Sequence, residues 1–195
     1  MVTVVSLSER RRAQAEASEA ELVRAVIEKD DSRAKEDLYV RLGPMVMRLA
    51  HRLLGGQEVD DVVQDTFVAA FEQLSRLRDP AHIRPWIRSI TVNKVRRTIR
   101  RRVLRRRLGF SEEPIDVEAM IGNNASPEVG AELRQLYGIL QTLPTDVRIA
   151  LVLRRVEERT IDEIAKTTRV SASTVKRRLR QGELRLSKAM QENLP

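Results

Sequence analysis

Apolar residues recur at intervals of three and four along most of the chain, which is the spacing of one face of an α-helix. The first such stretch covers 19–28, and Ser18 is placed to cap its start. The second covers 34–54 and contains Pro44, which predicts a kink or a break. A double glycine beginning at Gly55 ends it. No segment of any length alternates apolar and polar residues as a half-buried strand does.

Two more amphipathic stretches follow. Residues 59–77 carry an apolar stripe, and the Asp-Pro dipeptide after them predicts a turn. Pro85 suits the first position of a helix that continues through Ile99. These stretches together predict a helical domain over 18–107.

A second group of helices is predicted near the C-terminus. Residues 146–156 are apolar at helical spacing, and Thr160 with Glu163 three residues later predicts a capping box that opens a short second helix. After a brief turn, Ser171 is placed to cap a basic third helix. A short helix, a tight turn and a basic helix that begins with small polar residues are typical of the helix-turn-helix, whose last helix enters the DNA major groove.

The third helix is expected to offer hydrogen-bond donors and positive charge to DNA. Such groups contact base edges and phosphates, and the dipole at the helix N-terminus also attracts phosphate. The alternative is an ordinary solvated basic face, but the two-helix spacing and the surplus of basic residues over 144–188 favour DNA binding. The expected contact residues are Ser171, Ala172, Ser173, Thr174, Lys176, Arg177 and Arg180.

Small, turn-forming and acidic residues separate the two helical regions. Six acidic residues and no basic ones lie over 111–132, and no apolar periodicity is sustained there. This composition predicts a flexible acidic linker. The predicted all-α chain therefore consists of an N-terminal tail (1–17), a first small helical domain (18–107), the linker (108–130) and a second, helix-turn-helix domain (131–195).

Charge and composition narrow the classes of partner. The 195 residues include 36 Lys and Arg against 28 Asp and Glu, a formal net charge of +8, which indicates a nucleic acid or an anionic membrane surface. Nine of the fourteen residues over 94–107 are basic, with an apolar face too thin to favour a membrane. The absence of cysteine excludes disulfides, thiolate metal sites and cysteine nucleophiles. No apolar run is long enough to span a bilayer, and no signal-peptide pattern is expected at the N-terminus.

One cluster in the first domain is acidic. Asp61 and Asp65 lie one helical turn apart, beside Asp60 and Gln64. Paired carboxylates can serve acid–base catalysis, but no histidine is near them in sequence. The apolar stripe beside them favours a surface that docks a protein, with a plain solvated face as the alternative.

A second cluster mixes one large aromatic residue, one amide and many cations. Trp86 can stack on a base, Asn93 can pair with a base edge, and the cations around them can follow phosphates. The alternative is that Trp86 belongs to the core and the arginines only solubilise the helix. The concentration of basic residues over 94–107 favours binding to a polyanion.

In this order the motifs resemble those of bacterial RNA polymerase sigma factors of the extracytoplasmic-function (ECF) group. Residues 58–67 (EVDDVVQDTF) are similar to the polymerase-binding helix of the family, often D-x-x-Q-[DE]-x-F. Residues 85–94 (PWIRSITVNK) resemble the helix that melts the promoter and reads its −10 element. Residues 161–179 resemble the helix-turn-helix that binds the −35 element. The arginine run after Arg96 and the missing turn glycine before the capping serine depart from the family pattern.

The resemblance implies a transcription initiation factor that brings core RNA polymerase to specific promoters. RNA synthesis would then belong to the polymerase, and no catalytic residue, metal, cofactor or small-molecule substrate is expected in this chain. The resemblance assigns docking on the polymerase clamp coiled coil to Asp60, Asp61, Gln64, Asp65 and Phe67. It assigns the −10 element to Arg84, Trp86, Asn93, Lys94, Arg96 and Arg97, with Asn93 beside a flipped base and Trp86 as the wedge at the upstream edge of the bubble. It assigns contact with the −35 element to the residues of the third predicted C-terminal helix that are named above.

Further partners are implied by the resemblance: the polymerase flap, promoter DNA in duplex and single-stranded form, and an anti-sigma factor. The acidic linker would thread into the basic template and RNA-exit path of the polymerase. The expected location is the bacterial cytoplasm, with an anti-sigma factor as the means of holding the chain at the inner membrane.

Two other functions stay open on the sequence. An autonomous helix-turn-helix regulator would bind duplex DNA alone, usually as a dimer, but no dimer seam is evident and the second basic zone would go unexplained. A metal-dependent nuclease would need clustered carboxylate or histidine ligands, whereas His51 and His82 are isolated.

Overall fold

The computed structural model describes residues 17–56, 58–109 and 127–192. These ranges form eight α-helices and two short 3-10 turns, and they contain no strand, which confirms the predicted all-α class. The helices are α1 (Glu19–Lys29), α2 (Ser32–Leu54), α3 (Val59–Gln73), α4 (Ile83–Arg107), α5 (Pro127–Thr142), α6 (Thr145–Arg155), α7 (Ile161–Thr168) and α8 (Ala172–Glu192). The 3-10 turns are Leu74–Arg76 and Pro80–His82. The predicted tail up to residue 16 and the predicted linker over 110–126 lie outside the described residues.

Side-chain caps start three of the helices where the sequence predicts them. Ser18 Oγ accepts a hydrogen bond from the Glu21 amide at 3.3 Å, and the Glu21 carboxylate accepts one from the Ser18 amide at 2.6 Å. The hydrogen bond from the Ser18 backbone lowers the pKa of Glu21. Thr160 and Glu163 form the same reciprocal box at α7. Ser171 Oγ accepts from the amide three residues later at the start of α8.

Helix α2 runs through Pro44 without the predicted break. Pro44 lies on the exposed side of the helix, where water can bond the carbonyl that the missing N–H leaves free. Leu42 and Val46 on either side are fully buried, so core packing holds the helix continuous through the proline.

Two other helix boundaries differ from the prediction. Helix α4 begins at Ile83, so Pro85 is its third residue; the first-turn N–H groups have no acceptor within the helix, and proline is tolerated there. The same helix extends beyond Ile99 to Arg107, through the arginine run. Helix α5 was not predicted: it begins at Pro127, inside the predicted linker, with proline at the favourable first position.

The first domain packs α1 to α4 around an aliphatic core. Leu38 and Leu53 of α2, Val63 of α3, and Ile87 and Val92 of α4 are all buried, and α4 lies across both α2 and α3. Because α4 buries only one side, its other side carries the basic residues at the surface.

The second domain packs α7 and α8 against α6. Ile164 of α7 and Val175 of α8 are fully buried and hold the angle of the helix-turn-helix. Gly182 lets α8 approach α6 closely, because a Cβ there would lie 2.5 Å from Leu151 Cδ1 and 2.9 Å from Val147 Cγ1.

The two domains also pack on each other. Helix α4 contacts α6 and α7, and α2 contacts α6. Tyr137 Oη donates a hydrogen bond to the Arg52 carbonyl oxygen at 3.1 Å, and burial raises the pKa of this tyrosine. An ion pair joins Arg52 to Glu157. The two predicted helical domains are therefore present, and they share a face that the local sequence pattern does not predict.

Candidate nucleic-acid and protein interfaces

The acidic cluster forms an exposed face on α3. Asp60, Asp61, Gln64 and Asp65 all project into solvent, on the side opposite the buried valines of this helix. A groove of about 320 Å³ lies along this face, lined by acidic side chains of α3 and by Arg101 of α4. The arrangement offers a carboxylate surface to a basic partner.

Phe67, which the sequence assigns to the docking surface, lies beneath it. Its side chain is 4% exposed, with ring centroids 4.6 Å from Tyr39 and 5.9 Å from Phe71. The large apolar ring packs into the core, so it supports the α3 face from below.

Two apolar side chains that the sequence patterns did not mark extend the α3 face. Tyr39, whose ring packs on that of Phe67, is 46% exposed, and Val68 is 51% exposed. Val68 lines the same groove as Asp61. The sequence signal that could have revealed them is that apolar residues occupy helix positions where polar residues would be expected. Apolar contact beside carboxylates is a common composition for a protein interface.

Arg84 and Trp86 lie in the first turn of α4. Arg84 makes two hydrogen bonds to the carboxylate of Glu19 in α1, at 2.9 and 2.5 Å. Trp86 is half-buried and packs partly against the core. The first residue is thus held by α1, and the second has one side available at the surface.

Asn93 and Arg96 are directly paired on α4. Arg96 Nη1 donates to Asn93 Oδ1 at 2.7 Å. Because a guanidinium only donates, the amide oxygen must face the arginine, and Asn93 Nδ2 is left as the group that can meet a base. The pair therefore offers a hydrogen-bond donor in a defined orientation.

The remaining basic residues of α4 differ in whether a carboxylate of the chain pairs with them. Lys94 lies 3.5 Å from Asp65, which links the basic side of α4 to the acidic face of α3. Arg97 is exposed. Arg101 and Arg102 each bond the Glu58 carboxylate at 2.6 Å, which anchors the distal part of the helix to the loop before α3.

The charge on Glu58 is maintained by these arginines. Burial of the carboxyl acts to raise its pKa, but the hydrogen bonds from Arg102 and then Arg101 outweigh burial, and the pKa is lowered from the ordinary value of 4.5. Glu58 itself has φ 54°, the left-handed backbone conformation that begins α3 after the glycine turn.

The recognition helix α8 presents the predicted residues on one side. Ser173, Lys176, Arg177 and Arg180 are exposed, and Ala172 and Thr174 are half-buried at the helix start. Ser171 Oγ lies 2.9 Å from both Ser173 Oγ and Thr174 Oγ1, so the small polar residues form one hydrogen-bonded cluster. Val175 and Leu179 occupy the opposite, buried side.

Within the described ranges, no group of three or more His, Cys, Asp or Glu side chains is placed to hold a metal ion. His82 Nδ1 lies 2.7 Å from Asp79 Oδ2 at the surface, and His51 is half-buried. No helix in the described part of the chain is long and apolar enough to cross a membrane.

Comparison with known proteins matches both domains in order. The family model for Sigma-70 region 2 matches residues 38–105, and the model for Sigma-70, region 4 matches residues 133–186. The two matches together cover more than half of the chain. The two helical domains described above lie largely within these matched residues.

Curated relatives carry the same description. The ECF RNA polymerase sigma factor SigE of Mycolicibacterium smegmatis is 31% identical over 159 residues, which are 77% of this chain and 59% of that protein. The ECF RNA polymerase sigma-E factor of Escherichia coli K12 is 28% identical over 162 residues, 78% of this chain and 84% of that protein. The chain thus spans less than two thirds of the mycobacterial relative.

Solved structures share the fold. The structure of CnrH in complex with the cytosolic domain of CnrY has a TM-score of 0.62 and 25% identity, covering 90% of this chain and 99% of that chain. The sigma factor RpoE of Bartonella quintana, in complex with the anti-sigma factor NepR, has a TM-score of 0.60, with 84% and 100% covered; at 19% identity it shows the fold alone. The two family models match one helical domain each, in the same order along the chain as in the family. The chain therefore belongs to the sigma-70 family of RNA polymerase sigma factors, in the ECF group.

Proposed function

We propose that this chain is a promoter-specificity factor of bacterial RNA polymerase. It binds the core enzyme, directs it to promoters by reading and melting the −10 element, and binds the −35 element as duplex. The observation that carries the proposal is the presence of three distinct faces on one chain: an acidic face on α3, a basic face on α4 and a basic face on α8. RNA synthesis itself belongs to the polymerase.

The α3 face docks on the polymerase clamp coiled coil. Its exposed carboxylates complement basic partner residues, and the apolar side chains Tyr39 and Val68 add contact area beside them. Phe67 positions the face from beneath. The polar contacts are assigned to Asp60, Asp61, Gln64 and Asp65. The second domain adds a contact with the polymerase flap.

The α4 face reads the −10 element. Asn93, oriented by Arg96, donates to a base that has left the stack, and Trp86 wedges at the upstream edge of the opened duplex. Unstacking one base costs a few kcal/mol, which contacts with the single strand must offset. The phosphate contacts are assigned to Arg84, Lys94, Arg96 and Arg97.

The α8 face binds the −35 duplex. The exposed donors near the helix N-terminus contact phosphates, and Lys176, Arg177 and Arg180 reach base edges or the backbone in the major groove. The full contact set is Ser171, Ala172, Ser173, Thr174, Lys176, Arg177 and Arg180.

An autonomous regulator would leave two of the three faces without a role. Such a protein needs only the helix-turn-helix and a second copy of itself. The carboxylates on α3 and the donor pair on α4 favour the initiation factor.

An anti-sigma factor is proposed as a further partner. The solved relatives were each captured with a partner: CnrH with the cytosolic domain of CnrY, and Bartonella quintana RpoE with the anti-sigma factor NepR. By this analogy the chain acts in the cytoplasm, where an anti-sigma factor holds it inactive, at the inner membrane when that partner is membrane-anchored.

Reconstituted transcription tests the proposal. The chain is mixed with bacterial core polymerase and a library of promoter fragments, and the run-off products are sequenced. We expect initiation at a shared promoter sequence that depends on the chain and is lost with Asp61→Arg, whereas Glu28→Arg, a charge reversal at an exposed site on α1, transcribes normally.

The regulator function would replace this proposal if no initiation occurred while the chain alone bound a duplex site tightly at physiological salt. A shift to a dimer on that site would support the replacement.

A further inference from the structure

A cleft of about 530 Å³ lies where the start of α4 faces the turn between α6 and α7. One wall comes from α2 and α4, and the other comes from this turn and from α7. Small-molecule sites in proteins commonly enclose about 300–1,000 Å³. Among the described residues, five arginines and three glutamates line the cleft, so its charge favours an anion.

Three of the five arginines already have a carboxylate partner. The pairs are Arg52 with Glu157, Arg84 with Glu19 and Arg159 with Glu163. The other two, Arg48 and Arg88, form no ion pair within the described residues. The wall made by α2 and α4 therefore carries two guanidinium groups that are available to an anion.

Arg88 is the more unusual of these two arginines because it is buried. It is 8% exposed, and within the described part of the chain its Nε has no hydrogen-bond partner. Its Nη2 lies 3.6 Å from the sulfur of Met45, a weak acceptor. Burial, and then the nearby charge of Arg159, lower the pKa of Arg88. A buried guanidinium with an unmet donor is destabilising, and an anion that accepts from it would relieve this effect.

The opposite wall presents one available carboxylate. The Glu163 carboxylate is occupied, since it accepts hydrogen bonds from the Thr160 amide at 2.8 Å and from the Thr160 hydroxyl at 3.0 Å. Glu158 is exposed and forms no ion pair within the described residues. It can accept hydrogen bonds from hydroxyl or amino groups of a ligand. A ligand that suits both walls has phosphate at one end and such donors at the other.

We propose that this cleft binds a nucleotide, with its phosphates on Arg48 and Arg88 and its hydroxyl or amino donors on Glu158. Guanidinium groups bind phosphate strongly, because their planar array of N–H groups matches the phosphate oxygens. None of the three residues is assigned to a contact with promoter DNA or polymerase. The site is therefore separate from the proposed function and can be tested on the chain alone.

Isothermal titration calorimetry of the full chain with ADP gives the first test, at physiological salt and without divalent metal ions. We expect one site on the unmodified chain. The Kd should rise about tenfold or more with Arg88→Met, the scale of one hydrogen bond to a charged group, and should also rise with Arg48→Gln. Arg33→Gln is the matched control, an exposed arginine of α2 outside the cleft, and should bind ADP as the unmodified chain does.

Thermal unfolding separates loss of binding from loss of folding. Methionine fills much of the space of Arg88 and removes the unmet donor, so Arg88→Met should melt at or above the temperature of the unmodified chain when no ligand is present. ADP should raise the melting temperature of the unmodified chain but not that of Arg88→Met. Arg48 is exposed, so Arg48→Gln gives a second variant that keeps its fold.

Further probes distinguish a nucleotide from free phosphate. Adenosine should not bind, and inorganic pyrophosphate should bind more weakly than ADP. Glu158→Gln should weaken the binding of ADP but not that of pyrophosphate, because only ADP has donors for the carboxylate. Asp162→Asn, at an exposed acid in the first turn of α7 outside the cleft, should change neither.

Fluorescence anisotropy with a labelled single-stranded DNA of mixed sequence checks whether Arg88 serves DNA instead. We expect Arg88→Met to bind this DNA as the unmodified chain does. A loss of DNA affinity in this variant, with no binding of ADP to the unmodified chain, would overturn the nucleotide site.

Two other results would also overturn it: equal ADP affinity in Arg88→Met and the unmodified chain, or pyrophosphate binding as tight as that of ADP. Failure of transcription alongside the expected ADP binding would refute the proposed function and leave the nucleotide site standing.

Discussion

Single side chains on α4 do more than carry charge. The bond from Arg96 to Asn93 turns the amide so that Nδ2 is the free donor. The same arginine also bonds Asp146. One residue therefore orients the amide that we propose reads the promoter and ties it to the second domain.

Replacement of Asn93 by aspartate tests the donor directly. Aspartate still accepts from Arg96 but presents no N–H to a base, so we expect initiation to fall by about tenfold or more, the scale of one specific base contact. Run-off transcription at the promoter found in the library measures the effect. Gln191→Glu, the same type of change at the exposed end of α8, should transcribe normally. Equal transcription by Asn93→Asp would show that position 93 does not donate to a base.

Elements in this fold are positioned by small features at their contacts. Helix α8 lies close to α6 because position 182 has no side chain, and α4 is anchored to the loop before α3 by the two arginines on Glu58. Neither contact is visible in the helical periodicity of the segments involved.

Alanine at Gly182 should force α8 away from α6. The added Cβ would meet Leu151 and Val147 below normal contact distance, and overpacking of this kind costs about 1–3 kcal/mol of unfolding free energy. Thermal unfolding followed by circular dichroism measures the loss. Gly138→Ala is the control: it is an exposed helical site with open space around it, and alanine there should stabilise α5 by up to about 1 kcal/mol. An unchanged melting temperature in Gly182→Ala would mean that the two helices separate without penalty.

Glu58 should make the anchoring of α4 sensitive to acid. Its folded-state pKa is lowered from 4.5, so its contribution is fully present above pH 4.5 and is lost as the pH falls through the folded pKa. We expect Glu58→Gln to lose about 1–2 kcal/mol near pH 7, and the difference from the unmodified chain to shrink below pH 4.5. Unfolding at several pH values measures this. With Glu28→Gln, an exposed carboxylate on α1, stability should match the unmodified chain; a difference for Glu58→Gln that persisted at low pH would contradict the ion-pair explanation.

At the scale of the whole molecule, charge organises both the interfaces and the contact between the two domains. The basic face of α4 borders the acidic α3 face through Lys94 and Asp65, and the carboxylates of Asp146 and Glu157 in the second domain pair with arginines of the first. The guanidinium groups of these arginines can thus bond either to carboxylates of the second domain or to DNA phosphates.

Added salt should weaken both the ion pairs with carboxylates and the contacts with DNA phosphates. Added KCl screens the ion pairs of Asp146 with Arg96 and Arg100 and also weakens phosphate contacts, so the unmodified chain should lose DNA affinity less steeply with salt than Asp146→Asn does. Anisotropy titrations over a range of KCl concentrations measure the two slopes. Asp162→Asn should follow the unmodified chain, and parallel slopes for all three proteins would mean that no salt-sensitive contact competes with DNA.

The sequence by itself determined seven of the eight α-helices in the described residues, their order and the family, but it did not predict α5. Caps at Ser18, Thr160 and Ser171, together with apolar periodicity, act within a few residues, and local interactions of this kind can be read along the chain. The contact residues assigned to α3, α4 and α8 from motif order remain predictions for mutation to test.

Tertiary structure alone decided which distant residues meet. The burial of Phe67 and the pairing of Arg84 with Glu19 and of Arg96 with Asp146 join groups far apart in sequence. The continuity of α2 through Pro44 likewise depends on the core around it. These features follow from how the helices pack, which no local propensity encodes, because the stabilising contacts exist only once the chain has folded.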